Sequence, residues 1–126
     1  MDSNPKRLMI LIAGPYRSGT NDNPNLIAEN VRAMNVAALR VFRAGHIPML
    51  GEWLALPLAE TAGSQVVGDE AFTEVFHPVA EAIAERCDAC LRIGGPSQGA
   101  DNMVKIAERL GRKVFYRIED IPGISA

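Results

Sequence analysis

Two short loops in this chain carry residues able to hold an anionic or hydroxylated ligand. The first is Gly14-Pro15-Tyr16-Arg17-Ser18-Gly19-Thr20, and the second is Gly94-Gly95-Pro96-Ser97-Gln98-Gly99. Arg17 supplies a planar cation suited to phosphate or carboxylate. Ser18, Thr20 and Ser97 add hydroxyl donors. Each loop leads toward a helix start, where free backbone N–H groups and the helix dipole favour an anion. Gly, Pro and Ser are also ordinary turn residues. The anion site is therefore inferred from the pair of loops at one sheet edge, one of them bearing an Arg. Neither loop is a G-x-x-x-x-G-K-[ST] phosphate loop or a G-x-G-x-x-G dinucleotide fingerprint, and no cofactor is expected.

The elements that position these loops follow from periodicity. Leu8 to Ala13 is an unbroken apolar run, expected as a strand buried on both faces of a parallel sheet. Ile27, Val31, Met34, Ala38 and Val41 recur at helical spacing, and Gly45 sits where a C-terminal cap belongs. His46 to Leu50 gives a second short strand, with Pro48 arguing for an edge position. Gly51 to Gly68 is harder to assign: a short helix broken at Pro57, then a loop. A helix is expected over 69–86, interrupted near His77-Pro78. Asp88 to Ile93 is the third strand, Ala100 to Leu110 a helix capped by Gly111, and Lys113 to Ile118 the fourth strand. The tail from Glu119 is expected to be loosely held. This alternation predicts one α/β domain over 1–126, flavodoxin-like or Rossmann-like, with helices on both faces of a four-stranded, mostly parallel sheet. Ligands in such sheets bind at the C-terminal ends of the strands, where both loops lie.

Composition excludes several classes. The chain has 126 residues and a formal net charge of −2, without the basic field that a nucleic-acid backbone requires. No apolar run approaches a membrane span, and the polar start MDSNPKR lacks a signal core, so a cytoplasmic protein is expected. Cys87 and Cys90 form a C-x-x-C, but it runs into a strand instead of opening a helix. We read them as reduced, partly buried residues, with redox chemistry the weaker alternative. Two cysteines without a second pair are too few for structural zinc, and no metal is expected.

Five segments carry a resemblance: I-A-G-P-Y-R after the first strand, R-A-G-H-I-P after the first helix, C-D-A-C-L-R-I, then S-Q-G-A and L-G-R-K-V-F. In order and spacing this set resembles the nucleoside 2-deoxyribosyltransferase superfamily over most of the chain. It is more distantly similar to the nucleoside 5′-monophosphate N-glycosidases of that group. The resemblance implies a doubly wound fold and cleavage or exchange at a nucleoside N-glycosidic bond. It further implies a Glu nucleophile oriented by a Tyr, with an Asp handling protons or sugar hydroxyls. Counted residue by residue, Tyr16 matches the first-loop aromatic, and Ser97 and Gly99 match the loop that contacts a 5′-phosphate. The position of the nucleophilic Glu is Met103, and that of the Asp is Ala80. Asp101, two residues before Met103, is the nearest remaining carboxylate, although its plain role is to favour the helix N-terminus. Glu81 and His77 fit a solvated helix face as well as a site. Glu52, Asp69, Glu70 and Glu74 lie in the segment that is hardest to place. Trp53 could stack on a base, but beside Leu54 and Leu56 it fits core or a subunit contact better.

The reading is a nucleoside- or nucleotide-binding protein of deoxyribosyltransferase or N-glycosidase type. Asp101 and Tyr16 are its catalytic candidates, and Gly14, Arg17, Ser18, Gly19, Ser97 and Gly99 surround sugar and phosphate. The alternative is a non-catalytic nucleotide-binding module whose output is a partner contact. The resemblance also implies a homodimer or larger homo-oligomer, and the apolar segment Trp53 to Leu58 is a candidate contact on its composition.

Overall fold

The computed structural model describes residues 7–124. The first six residues, which carry most of the segment read for targeting, and the last two lie outside this range. The elements are β1 (Met9–Ala13), α1 (Pro24–Arg43), β2 (Ile47–Met49), α2 (Gly51–Thr61), α3 (Glu70–Arg86), β3 (Ala89–Arg92), α4 (Gln98–Arg109) and β4 (Lys113–Phe115), followed by one turn of 3₁₀-helix at Ile118–Asp120. The strands form one parallel sheet in the order β2-β1-β3-β4. That order is the doubly wound arrangement expected from the alternation of elements, with β1 and β3 side by side at its centre.

Alternation along β1 divides the core. Ile10 and Ile12 point to the side covered by α1, where they meet Met34, Ala37, Ala38 and Val41. Leu11 and Ala13 point to the other side, with Cys90, Ala84 of α3, and Met103, Val104 and Ala107 of α4. The apolar run is continuous because both faces of the central strand are covered. β2 is an edge strand, as Pro48 predicts.

Two expectations are corrected. α2 and α3 both run through their prolines: Pro57 lies inside Gly51–Thr61, and Pro78 inside Glu70–Arg86. An interior proline costs a helix about 3 kcal/mol, and here tertiary packing offsets it. Ala55 of α2 packs with Phe72 and Phe76 of α3 in a separate cluster, and Gly51 lies directly against Ala80. The second correction concerns the tail. Instead of hanging loose, Ile121 is 2% exposed in the α1-side core, and Ile118 and Ile124 pack against the same cluster. The imidazole of His46, itself buried, ties this tail to the residue that precedes β1. Its Nδ1 accepts from the Leu8 N–H at 3.1 Å, and its Nε2 lies 2.8 Å from the Pro122 carbonyl. With Nδ1 accepting, Nε2 is the ring nitrogen that donates to the Pro122 carbonyl.

No helix among the described residues is long and apolar enough to cross a membrane.

Candidate functional site

The first loop leaves β1 and the second leaves β3, so the pairing of these strands brings the loops together. The contact is close. A Cβ on Gly94 would fall 2.6 Å from Cδ of Pro15, and Gly94 itself has φ +78°. Glycine there satisfies both the backbone conformation and the approach of Pro15. Between the loops, the start of α2 and one stretch of α3 lies a cavity of about 180 Å³. That is below the usual range of about 300–1,000 Å³ for ligand pockets, which suits one ring system with its substituents better than a dinucleotide.

The cavity has three kinds of wall. One is aromatic: Tyr16, Phe72 and Phe76 all line it. Tyr16 stacks on Phe76 with centroids 5.3 Å apart, and Phe76 on Phe72 at 4.6 Å. The two phenylalanines stand four residues apart on α3 and so share one face. The second wall is the start of α4, with Ser97, Gly99 and Ala100. Ser97 is the N-cap: its Oγ accepts from the Ala100 N–H at 3.2 Å, and its carbonyl from the Asp101 N–H at 3.0 Å. The amides of Gln98 and Gly99 precede any intrahelical acceptor, as first-turn amides do. The third wall is the close junction of α2 with α3. A Cβ on Gly51 would lie 2.9 Å from that of Ala80, so only glycine lets the two helices approach there. This approach sets Glu52, in the first turn of α2, at the cavity wall.

Glu52 is the one carboxylate among the described residues that line the cavity. It is half-buried, and burial raises its carboxyl above the ordinary range. Burial also raises the Tyr16 hydroxyl, and the Glu52 charge pushes it the same way, against a smaller lowering by Arg17. His77 lines the cavity mouth with its ring edge-on to Phe76 at 5.5 Å.

Of the residues assigned in the sequence to catalysis or to sugar and phosphate, Gly14, Tyr16, Arg17, Ser18, Ser97 and Gly99 line the cavity. Arg17 does so with its charge already matched. Its Nε donates to Asp22 Oδ1 at 2.9 Å and its Nη2 to Oδ2 at 2.8 Å. The guanidinium also lies 5.8 Å from the Phe72 centroid and against Gly68. Thr20 is buried and shapes the turn, donating to the Arg17 carbonyl and accepting from the Asp22 N–H. Asn21 and Asp22 both adopt left-handed backbone, φ 51° and 57°, to present the Asp22 carboxylate. Asn and Asp tolerate that region better than other side-chain-bearing residues.

Gly19 and Asp101 are not among the cavity residues. The Asp101 side chain is 61% exposed and pairs with Arg92, Nε to Oδ1, at 3.1 Å. Arg92, 12% exposed, donates in addition to the carbonyls of Ile93 and Gly95 and so fixes the second loop from behind. Asp101 thus holds the loop's anchor at the helix N-terminus. Ala80 and Met103 both line the cavity, so the positions where the resemblance calls for carboxylates face it with apolar side chains. Asp69 caps α3 and ties down the preceding loop, accepting from the amides of Phe72, Gln65 and Val66; these bonds hold its carboxyl well below the ordinary range. Glu70, Glu74 and Glu81 are exposed and outside the cavity. Trp53 sits on the outer side of α2, donating to Asn35 Oδ1 at 3.0 Å.

Cys87 and Cys90 are both buried and free. Burial pushes their thiols up to about 11 and about 12. A redox cysteine needs the opposite shift, because the thiolate is the reactive form. Among the described residues no group of three or more His, Cys, Asp or Glu gathers as a metal would require.

Arg92, Phe72 and Phe76 contribute to the site without having stood out in the sequence. Arg92 ends β3, and a basic residue at a strand's C-terminal end beside a Gly-Gly turn was an available signal. The aromatic pair was legible as Phe-x-x-x-Phe within the expected helix. No protein-family model matches the chain, and no curated protein is detectably similar to it in sequence.

Proposed function

We propose that the cavity between the two loops binds a nucleoside or nucleoside 5′-monophosphate, and that Glu52 is the carboxylate that acts at its N-glycosidic bond. The observation that carries this reading is a half-buried carboxylate, the only one among the described lining residues, in a cavity lined by aromatic rings on one wall and by the first turn of a helix on another. The rings suit a planar base, and the α4 amides with the Ser18 and Ser97 hydroxyls suit sugar oxygens or a phosphate. Glycosidic cleavage builds positive charge at the anomeric carbon, and a carboxylate in a poorly solvated wall is the group that stabilises it.

Incubation with a panel of nucleosides and 5′-monophosphates, with free base followed by chromatography, tests the reading. Base release that is lost in Glu52→Gln supports it. Absence of both base release and thermal stabilisation across the panel overturns it.

A second reading, binding without turnover, is favoured by the apolar side chains of Ala80 and Met103 at the cavity. Thermal stabilisation by a nucleotide with no release of base would select it.

A further inference from the structure

The charge inside the cavity is one-sided. Glu52 is the only carboxylate among its described lining residues, and the guanidinium at the edge, Arg17, is already paired through both of its forked donors to Asp22. Another wall of the cavity is aromatic, and one ring shows what such a surface accepts: the Arg17 guanidinium lies over Phe72 at 5.8 Å. Tyr16 and Phe76 line the cavity beside it. A carboxylate next to aromatic rings in a poorly solvated recess is a recognition surface for a flat organic cation, because the ring quadrupoles and the carboxylate attract the same charge.

We propose that the ligand's base is cationic, a nucleoside whose heterocycle carries a fixed positive charge on the ring nitrogen system, as a pyridinium or an N7-alkylpurinium does. This rests on the nucleoside reading above and deepens it. It also accounts for a site with one carboxylate. A neutral base must be protonated as it leaves, which requires an acid besides the group that stabilises the anomeric centre. A cationic base leaves as a neutral molecule. The C1′–N bond breaks, and its electron pair goes to the ring nitrogen, cancelling the charge. The oxygen of a water molecule forms the new bond to C1′, and the water proton passes to the Glu52 carboxylate and on to solvent. No second carboxylate is needed, and the apolar side chains of Ala80 and Met103 cost such a reaction nothing.

The test uses two nucleosides that differ by one methyl group and one charge, 7-methylguanosine and guanosine, at about pH 6, where the methylated base is cationic. Affinity is read by calorimetry and base release by chromatography, on the wild type and on Glu52→Gln. The expected result is binding of 7-methylguanosine about tenfold tighter than guanosine, the scale of a partly desolvated cation–ring contact, with that preference reduced in Glu52→Gln. A preference that persists unchanged in Glu52→Gln reports the methyl group instead of the charge and overturns the proposal. Equal binding of the two overturns the proposal and leaves the nucleoside reading standing. Binding of neither, nor of any nucleoside in the wider panel, overturns both.

Discussion

Arg17 and Asp22 form a two-pronged pair, Nε to Oδ1 at 2.9 Å and Nη2 to Oδ2 at 2.8 Å, on a turn whose left-handed residues Asn21 and Asp22 present the carboxylate. An arginine at the lip of a cavity invites the assumption that it waits for phosphate. Here its fork is occupied, and a phosphate would have to displace Asp22. We expect Asp22→Asn, which keeps the tolerance for left-handed backbone, to raise the affinity for a nucleoside 5′-monophosphate severalfold relative to its parent nucleoside. Calorimetry with the matched pair checks this, and an unchanged ratio would show that Arg17 does not meet the phosphate.

Glu52 makes stability depend on pH. Burial raises its carboxyl in the folded chain, so the folded state holds this proton more tightly than the unfolded state does. The folded chain therefore suffers no penalty from Glu52 below about pH 4, where both states are protonated. The penalty grows as pH rises toward the folded value and is complete above it. Glu52→Gln removes the charge, so its melting temperature should exceed that of the wild type at about pH 7 and converge with it near pH 4. A variant less stable than wild type at neutral pH would contradict the burial argument.

The thiols should be inert in the native chain. With folded values pushed up to about 11 and about 12 by burial, thiolate is scarce at neutral pH. Reaction of Cys87 and Cys90 with an aromatic disulfide reagent should be slow in buffer and rapid in denaturant. The shift also has a sign for stability. Unfolded thiols ionise from about pH 8.5, and the folded ones later, so stability should fall as pH rises from there through the folded values.

The tail should carry a measurable share of stability. Ile121 is 2% exposed within the α1-side core, and removing such a side chain costs about 2–5 kcal/mol. Urea denaturation of Ile121→Ala should show a loss in that range. His46→Ala, which cuts the tie between Leu8 and Pro122, should destabilise in the same direction. If both changes are neutral, the tail does not dock in solution.

The sheet was readable from the sequence because helical periods separate the strands, β1 is apolar throughout and β3 is apolar up to Arg92. The loops were readable because glycine, proline and serine punctuate both strand ends. The carboxylate facing the cavity was not. Asp101 is the carboxylate nearest Met103 in the sequence, but a side chain in the first turn of α4 has solvent on its outer flank, and there it finds Arg92. Glu52 lies in a stretch whose Pro57 argues against a continuous helix. Its position depends on Gly51 touching Ala80, a contact between residues far apart in the chain that periodicity cannot see. The docking of the tail was illegible for a related reason: Pro122 and Gly123 have the composition of a frayed end, while the buried His46 that bonds Pro122 lies in another part of the sequence.

The proline in β2 has a consequence for assembly. The Ile47 amide donates inward to the Leu8 carbonyl at 2.9 Å, so in a parallel ladder the following residue, Pro48, turns its nitrogen outward. That nitrogen carries no hydrogen. In a strand of three residues, Ile47–Met49, the outward edge therefore has no amide at its centre to offer a fifth strand. Growth of the sheet from chain to chain is blocked on that side by a residue that costs the inward pairing nothing.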